Sequence, residues 1–167
     1  NESLYSLYLG SPEYQEKFES LTSDMLITIE LTEDTRLSYG QLEAKIDNIR
    51  KIGYKIALDD FGAANANELA LLVINPDYIK ISMELIRDIE KNARHYELVA
   101  NLINYAHRCG IRVIAKCIET AEEMRALIEL GADYLQGYYI SMPSPLVTDI
   151  SDEKKEEIQR YRDAKQQ

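Results

Sequence analysis

The sequence predicts a parallel α/β fold, and two architectures fit it: an open doubly wound sheet, or part of a (βα) barrel. Short, nearly continuously apolar segments alternate with segments of helical periodicity, which is typical of buried parallel strands joined by helices. No GxGxxG or GxxxxGK[ST] motif follows a strand, so nothing favours a nucleotide-binding doubly wound sheet. A complete barrel has about 250 residues, whereas this chain has 167. We therefore favour a partial TIM-type (βα) barrel of about six βα units.

The predicted strands are identified by their β-branched and aromatic residues. Five are clear, and a sixth near the beginning of the chain is weaker. They span residues 26–31, 54–59, 78–82, 111–118 and 134–140, and the weaker candidate spans 4–9.

Helix start signals lie between the strands. A serine followed by proline fits an N-cap with proline at the first helical position, and two other segments fit the capping box. The three candidate starts are Ser11 with Pro12, Ser38 with Gln41, and Thr120 with Glu123.

Two helices show an apolar periodicity, and the chain ends in a charged segment. Residues 94–108 are expected to form a helix that ends at Gly110, a residue suited to a helix C-terminus. We expect residues 1–150 to form the barrel portion and residues 151–167 to form a charged surface helix or connector. The expected apolar faces are Leu42, Ile46 and Ile49 in the helix after Ser38, and Leu98, Leu102 and Tyr105 in the helix over 94–108.

The composition narrows the classes of function. The net charge of −10, from 29 acidic and 19 basic residues, argues against general nucleic-acid binding and against binding an anionic membrane. No apolar run approaches the roughly 20 residues that span a bilayer, so we expect no direct membrane insertion. Cys109 and Cys117 lack the spacing of a zinc site and indicate free thiols in a reducing compartment. We expect a cytoplasmic location, alone or as the cytoplasmic part of a larger protein.

Polar and charged residues stand at the ends of successive predicted strands. In parallel α/β folds the chemistry lies at the carboxyl ends of the strands. Carboxylates that converge there repel one another and need a cation, usually Mg²⁺ or Mn²⁺. A single acidic residue at such a place is often only a helix cap, but a set at one end of five strands is better explained by a site. The set comprises Glu30, Glu33, Asp59, Asp60, Lys80, Lys116, Glu119 and Gln136.

Five motifs in this order resemble the EAL-domain family, whose members linearise cyclic di-GMP by metal-assisted hydrolysis. They are ELTE at 30–33, DDFG at 59–62, YIKIS at 78–82, IAKCIET at 114–120 and DYLQGYYI at 133–140. The resemblance runs from about residue 11 to about residue 145. It implies an EAL-like barrel from which the N-terminal strand that carries the EAL signature is absent.

The resemblance assigns a role to each matching residue. It implies that Glu30, Asp59 and Asp60 are metal ligands and that Lys80 orients the attacking water and the phosphate. Glu33 matches the glutamate that steadies the loop after DDFG. Glu119 and Gln136 match a second glutamate and a glutamine near the active site of the family.

The departures from the family pattern point to a lost activity. Lys116 stands where the family has a glutamate proposed as general base and metal ligand, and Ser82 stands where it has an aspartate. Residues 63–67 replace a glycine- and serine-rich loop. The metal-binding asparagine of the family has no clear counterpart, since spacing would place it near Ser3.

We hypothesise that Lys116 replaces the metal, with its ammonium among Glu30, Asp59 and Asp60; the alternative is that it points into solvent. An ammonium cannot accept a proton from metal-bound water, and it repels a divalent ion. We therefore expect no cofactor in this form, and Mg²⁺ or Mn²⁺ only where a metal site survives.

The expected function is that of a degenerate, catalytically inactive EAL-domain protein of cyclic di-GMP signalling that acts as an interaction or regulatory module. Two alternatives stay open: a receptor that binds cyclic di-GMP without cleaving it, and a metal-dependent phosphodiesterase in the full-length protein. The expected partners are cyclic di-GMP and either a second copy or another signalling domain. A barrel that lacks strands exposes unpaired edges, which favours association.

Overall fold

The structure, a computed structural model, describes residues 16, 20, 25–31, 39–63, 68–146 and 148–165. The chain divides into two compact units. The first comprises Asn1–Leu58 and Asn67–Pro76, and the second comprises Asp59–Ala66 and Asp77–Gln167. Three expectations lie outside the described residues: the strand at 4–9 with Ser3, the helix start at Ser11 and Pro12, and Glu33. The expected capping box of Ser38 and Gln41 also involves side chains that the structure does not describe.

The described strands form one parallel sheet of five, in the order β1-β2-β3-β4-β5. Consecutive neighbours of this kind characterise a (βα) barrel, whereas a doubly wound sheet reverses its strand order. The prediction of a parallel α/β fold is therefore confirmed. The strands are β1 Thr28–Leu31, β2 Lys55–Phe61, β3 Tyr78–Ile81, β4 Arg112–Ala115 and β5 Tyr134–Leu135. The helices are α1 Tyr39–Lys51, α2 Glu68–Ile74, α3 Met83–Ile86, α4 Ala93–Arg108, α5 Ala121–Leu130 and α6 Asp152–Lys165, with a 3₁₀ turn at Ile89–Lys91.

The first unit pairs β1 with the beginning of β2 and packs α1 against α2. The register runs from Thr28 beside Lys55 to Leu31 beside Leu58. Ile46 and Ile49 of α1 are buried, as the apolar periodicity predicts.

The second unit contains β3, β4 and β5 with α3 to α6. Its core includes Ile79, Ile81 and Val113, each at most 1% exposed. Helix α4 begins at the N-cap Asn92, whose side chain accepts from the backbone N–H groups of two residues in the first turn. Gly110 follows its end with φ +74, a conformation that glycine adopts without strain.

The expected apolar face of α4 is wrong. Val99, Ile103 and Ala106 are the buried residues of this helix, whereas Leu98 is 47% exposed and Tyr105 is 40% exposed. The helix carries two apolar stripes one residue apart, each with the spacing of a helical face. Periodicity alone cannot decide which of two such stripes packs inward.

Two strands are shorter than predicted, because the chain turns. β4 ends at Ala115, and Cys117 two residues later has φ +61. β5 ends at Leu135, and the turn after it has a hydrogen bond of 3.0 Å from the Ile140 N–H to the Gly137 carbonyl. The expected strands over 111–118 and 134–140 therefore ran too far. No helix in the described part of the chain is long and apolar enough to cross a membrane.

The charged C-terminal segment forms α6, which has no buried residue. A cation–π contact joins it to the preceding turn, since the Lys154 ammonium lies 3.4 Å from the centre of the Tyr139 ring. Tyr139 Oη also donates to Glu157 Oε1 at 2.9 Å. The division of the chain at residue 150 stays a prediction.

Candidate functional site

Four charged side chains of the second unit meet at the carboxyl ends of β2, β3 and β4. Asp59 and Asp60 are in β2, Lys80 is in β3 and Lys116 directly follows β4. Neighbouring residues of a regular strand point to opposite faces. Asp60 has φ +54, which departs from extended geometry, and both carboxylates reach the same ammonium. We refer to these four residues as the lysine–aspartate cluster.

The contacts within the cluster are short and centre on Lys116. Its Nζ lies 2.7 Å from Asp59 Oδ1 and 2.6 Å from Asp60 Oδ1. Lys80 Nζ lies 3.9 Å from Asp59 Oδ1. The side chains of Lys116, Lys80 and Asp59 are 14%, 10% and 17% exposed, so water screens these charges only partly. Two cations thus offset two carboxylates.

The surroundings keep Asp59 and Lys116 charged. Burial raises the pKa of Asp59, but the hydrogen bond from Lys116, the backbone at Asp60 and the charge of Lys80 outweigh it, so this pKa lies below its ordinary value. Burial lowers the pKa of Lys116, but hydrogen bonds to both aspartates outweigh it, so this pKa lies above its ordinary value. Each partner therefore stabilises the charged form of the other.

The donor set of the cluster does not fit Mg²⁺ or Mn²⁺. Such an ion needs the carboxylate oxygens that Lys116 contacts, and a neighbouring ammonium repels it. Within the described ranges, no group of three or more His, Cys, Asp or Glu residues is arranged to hold a metal. Glu30, the third expected ligand, is an exposed residue of β1 in the first unit.

Glu119 has an arginine as its partner. Its two carboxylate oxygens accept from Nη1 and Nη2 of Arg87, the second at 2.7 Å. The hydrogen bond from Arg87 is the main reason that the pKa of Glu119 lies below its ordinary value. Glu119 thus follows β4 as expected, but its carboxylate is held by Arg87.

Gln136 makes its contacts near the cluster through its backbone, whereas Ser82 acts through its side-chain hydroxyl. The Gln136 N–H donates to the Ala115 carbonyl at 2.8 Å, and its carbonyl accepts from the Ile118 N–H at 3.1 Å, while its side chain is exposed. Ser82 is 4% exposed and caps α3, since its Oγ accepts from the Glu84 N–H at 3.3 Å. Ser82, for which the resemblance implies a departure from an aspartate, is therefore a helix cap in this chain.

Sequence reasoning missed the role of Arg87 and part of the role of Glu123. Arg87 lies in the turn after α3, where no motif distinguishes it from a solvent-exposed arginine. Glu123 was expected only as a capping residue, and the structure confirms its capping box with Thr120. It also accepts from the Asp88 N–H at 3.1 Å, a contact between residues 35 positions apart.

Comparisons with known proteins identify the family of the chain. The EAL domain family model matches residues 8–143. Over 127 residues the chain is 33% identical to the cyclic di-GMP phosphodiesterase PdeF of Escherichia coli. This match covers 75% of the chain and 17% of PdeF, so the chain spans about a sixth of that relative.

Solved structures show the same fold. The Klebsiella pneumoniae BlrP1 structure, a complex with manganese and cyclic di-GMP, has a TM-score of 0.71 and 30% identity and covers 80% of this chain and 36% of that one. The Bacillus subtilis YkuI protein, with an EAL domain, has a TM-score of 0.78 and 20% identity and covers 98% of this chain and 42% of that one. The chain belongs to the EAL domain family.

Proposed function

We propose that this chain is a catalytically inactive EAL domain that serves cyclic di-GMP signalling as an interaction or regulatory module. The observation that carries the proposal is the position of the Lys116 ammonium, within 2.7 Å of Asp59 and 2.6 Å of Asp60. These two aspartates are the metal ligands that the family pattern implies.

Lys116 removes two requirements of metal-assisted hydrolysis. An ammonium with a raised pKa has no lone pair with which to take a proton from water, and loss of a general base alone lowers rates by about 10²–10⁴. The same ammonium neutralises the carboxylates that would attract a divalent ion. Strands supplied by a longer chain would not restore either function at this position, which argues against the phosphodiesterase alternative.

A receptor that binds cyclic di-GMP without cleaving it is the second candidate. It is favoured by the retained Lys80, which is 8% exposed at the carboxyl end of β3, and by the ligand in the 30% identical BlrP1 structure. An ammonium at a strand end can attract a phosphate. The ligand would have to bind without the metal ions that accompany it in that structure.

Association with a second copy or with another signalling domain, in the cytoplasm, completes the proposal. β1 and β5 are the end strands of the described sheet, and unpaired strand edges are templates for pairing with another chain. The net charge of −10 does not suit a nucleic acid as the partner.

Calorimetric titration of the chain with cyclic di-GMP, in Mg²⁺ and again in Ca²⁺, combined with chromatography of the nucleotide after long incubation, tests the proposal. The inactive module predicts intact nucleotide under both conditions. Saturable binding with intact nucleotide would support the receptor instead, and linear product formed in Mg²⁺ would refute both. Asp59→Asn provides the control for trace contamination, because product that persists at the same rate in this variant does not come from the cluster.

A further inference from the structure

Glu123 is the least exposed charged residue in the part of the chain that the structure describes, at 1%. It lies in the first turn of α5 and completes a capping box: Thr120 Oγ1 accepts from the Glu123 N–H, and Glu123 Oε2 accepts from the Thr120 N–H, each at 3.2 Å. This much is an ordinary helix start.

The carboxylate makes further contacts that a helix cap does not require. Glu123 Oε2 also accepts from the Glu119 N–H at 2.8 Å, and Oε1 accepts from the Asp88 N–H at 3.1 Å. Arg87 Nη1 lies 4.0 Å from Oε1. A single buried carboxylate therefore satisfies three backbone N–H groups from two separate segments, which an uncharged side chain could not do equally well.

One of these segments, residues 116–120, carries Lys116 and has no regular secondary structure; we name it the Lys116 segment. Cys117 within it has φ +61, a conformation that is unfavourable for a residue with a Cβ and has to be held by its surroundings. On one side the segment is held by the turn that follows β5, since the Tyr139 N–H donates to the Ile118 carbonyl at 3.0 Å. On the other side it is held by Glu123.

We propose that Glu123 is a positioning residue that holds the Lys116 segment against the turn at Arg87 and Asp88, and so keeps the Lys116 ammonium on the two aspartates. The paired Arg87 and Glu119 side chains strengthen the same link from the exposed side. The turn follows α3, which begins directly after the strand that carries Lys80. Glu123 thus joins the segments that follow β3 and β4, whether or not the chain is catalytically inactive.

Glu123→Gln is the primary test, because glutamine fits the capping box but has only one acceptor oxygen. Whichever way its amide is turned, its NH₂ group faces at least one backbone N–H. Glu122→Gln is the matched control, since Glu122 lies in the same first turn, is exposed, and loses the same charge. Both variants are compared with the unmodified chain.

We measure the rate at which the Lys116 ammonium protons exchange with water, by nitrogen-resolved NMR of lysine side chains. The Lys116 signal is assigned by its loss in Lys116→Met. We expect exchange about tenfold faster in Glu123→Gln, the change that a lost hydrogen bond of ordinary strength allows, and an unchanged rate in Glu122→Gln. A lower melting temperature with unchanged Lys116 exchange would overturn the proposal, because a helix cap alone has that effect.

Glu123→Asp keeps the test decisive if the glutamine variant does not fold. Its carboxylate keeps the charge but is one methylene shorter, so it cannot reach from the cap to the Asp88 N–H. The same acceleration of exchange is expected, and an unchanged rate would overturn the proposal here as well.

Discussion

The lysine–aspartate cluster and the surface of α6 contain the same type of ion pair in different surroundings. In the cluster, the Lys116 and Asp59 side chains are 14% and 17% exposed. In α6, Lys155 pairs with Asp152 of the same helix and with Asp149 just before it, and these two aspartates are 93% and 92% exposed. Water and salt screen the exposed pairs, whereas loss of one partner in the cluster leaves a charge that is partly removed from water. The location of an ion pair, more than its length, determines what it contributes to stability.

Lys116→Met gives the largest expected effect. It keeps most of the length of the side chain but leaves Asp59 and Asp60 without their shared cation. We expect the free energy of unfolding, from urea denaturation at pH 7, to fall by about 2–3 kcal/mol, somewhat less than for a fully buried pair because Asp60 is 57% exposed. An unchanged or higher stability would mean that the cluster does not need this cation.

Gly137→Ala tests how tightly the turn after β5 holds the Lys116 segment. An added Cβ would clash with the backbone N and O of Ile118, so the segment would have to shift, at an expected cost of about 2 kcal/mol in the free energy of unfolding. Gly40→Ala in α1 is the control, since a Cβ there meets nothing within 4 Å and should stabilise by about 0.5 kcal/mol. Equal effects of the two substitutions would contradict a tightly held segment.

The ionisation of Asp59 makes the stability of the cluster depend on pH. Its pKa in the folded protein lies below the ordinary value of 3.8, so its ionisation stabilises the fold fully at pH values above 3.8, and this contribution is lost as the pH falls through the lower folded-state pKa. We expect Asp59→Asn to be less stable than the unmodified chain by about 1 kcal/mol at pH 7. This difference in stability should shrink below about pH 4. A difference that grows on acidification would mean that the ionised form of Asp59 does not stabilise the fold.

Lys155→Met makes the same chemical change as Lys116→Met on the surface of α6 and has the smallest expected effect. Exposed ion pairs often contribute nothing measurable. We expect the melting temperature to stay within the error of the measurement, at low and at high salt. A loss of stability comparable to that of Lys116→Met would show that burial does not determine what these ion pairs contribute.

The sequence pattern predicted the fold well where a rule of local chemistry applied. The alternation of strands and helices located β1 to β4 with ends displaced by at most three residues, and the Thr120 capping box identified the beginning of α5. The length of β5 could not be predicted, because the apolar segment continues past Leu135 and the turn depends on the close approach of Gly137 to Ile118. That approach is a tertiary contact with no local signal.

The site also contains features that the local sequence predicts and features that depend on tertiary contacts. Strand ends are local features, so the expectation that Asp59, Asp60, Lys80 and Lys116 lie near one another could be stated before the structure was known. The partner of Glu119 could not be predicted, because Arg87 is 32 residues away in the chain and belongs to no motif. The extra contacts of Glu123 depend on the turn at Asp88, which has φ +52, and nothing local predicts that conformation at an aspartate.

Mn²⁺ binding by Lys116→Glu, compared with the unmodified chain, tests most directly whether Lys116 takes the place of a metal ion. The substitution puts a third carboxylate beside Asp59 and Asp60 and removes their cation. We therefore expect a lower melting temperature without metal, a new saturable Mn²⁺ site by calorimetry, and a melting temperature that Mn²⁺ restores. The unmodified chain should show no such site. Equal melting temperatures and equal Mn²⁺ affinities in the two proteins would show that Lys116 does not take the place of a metal ion.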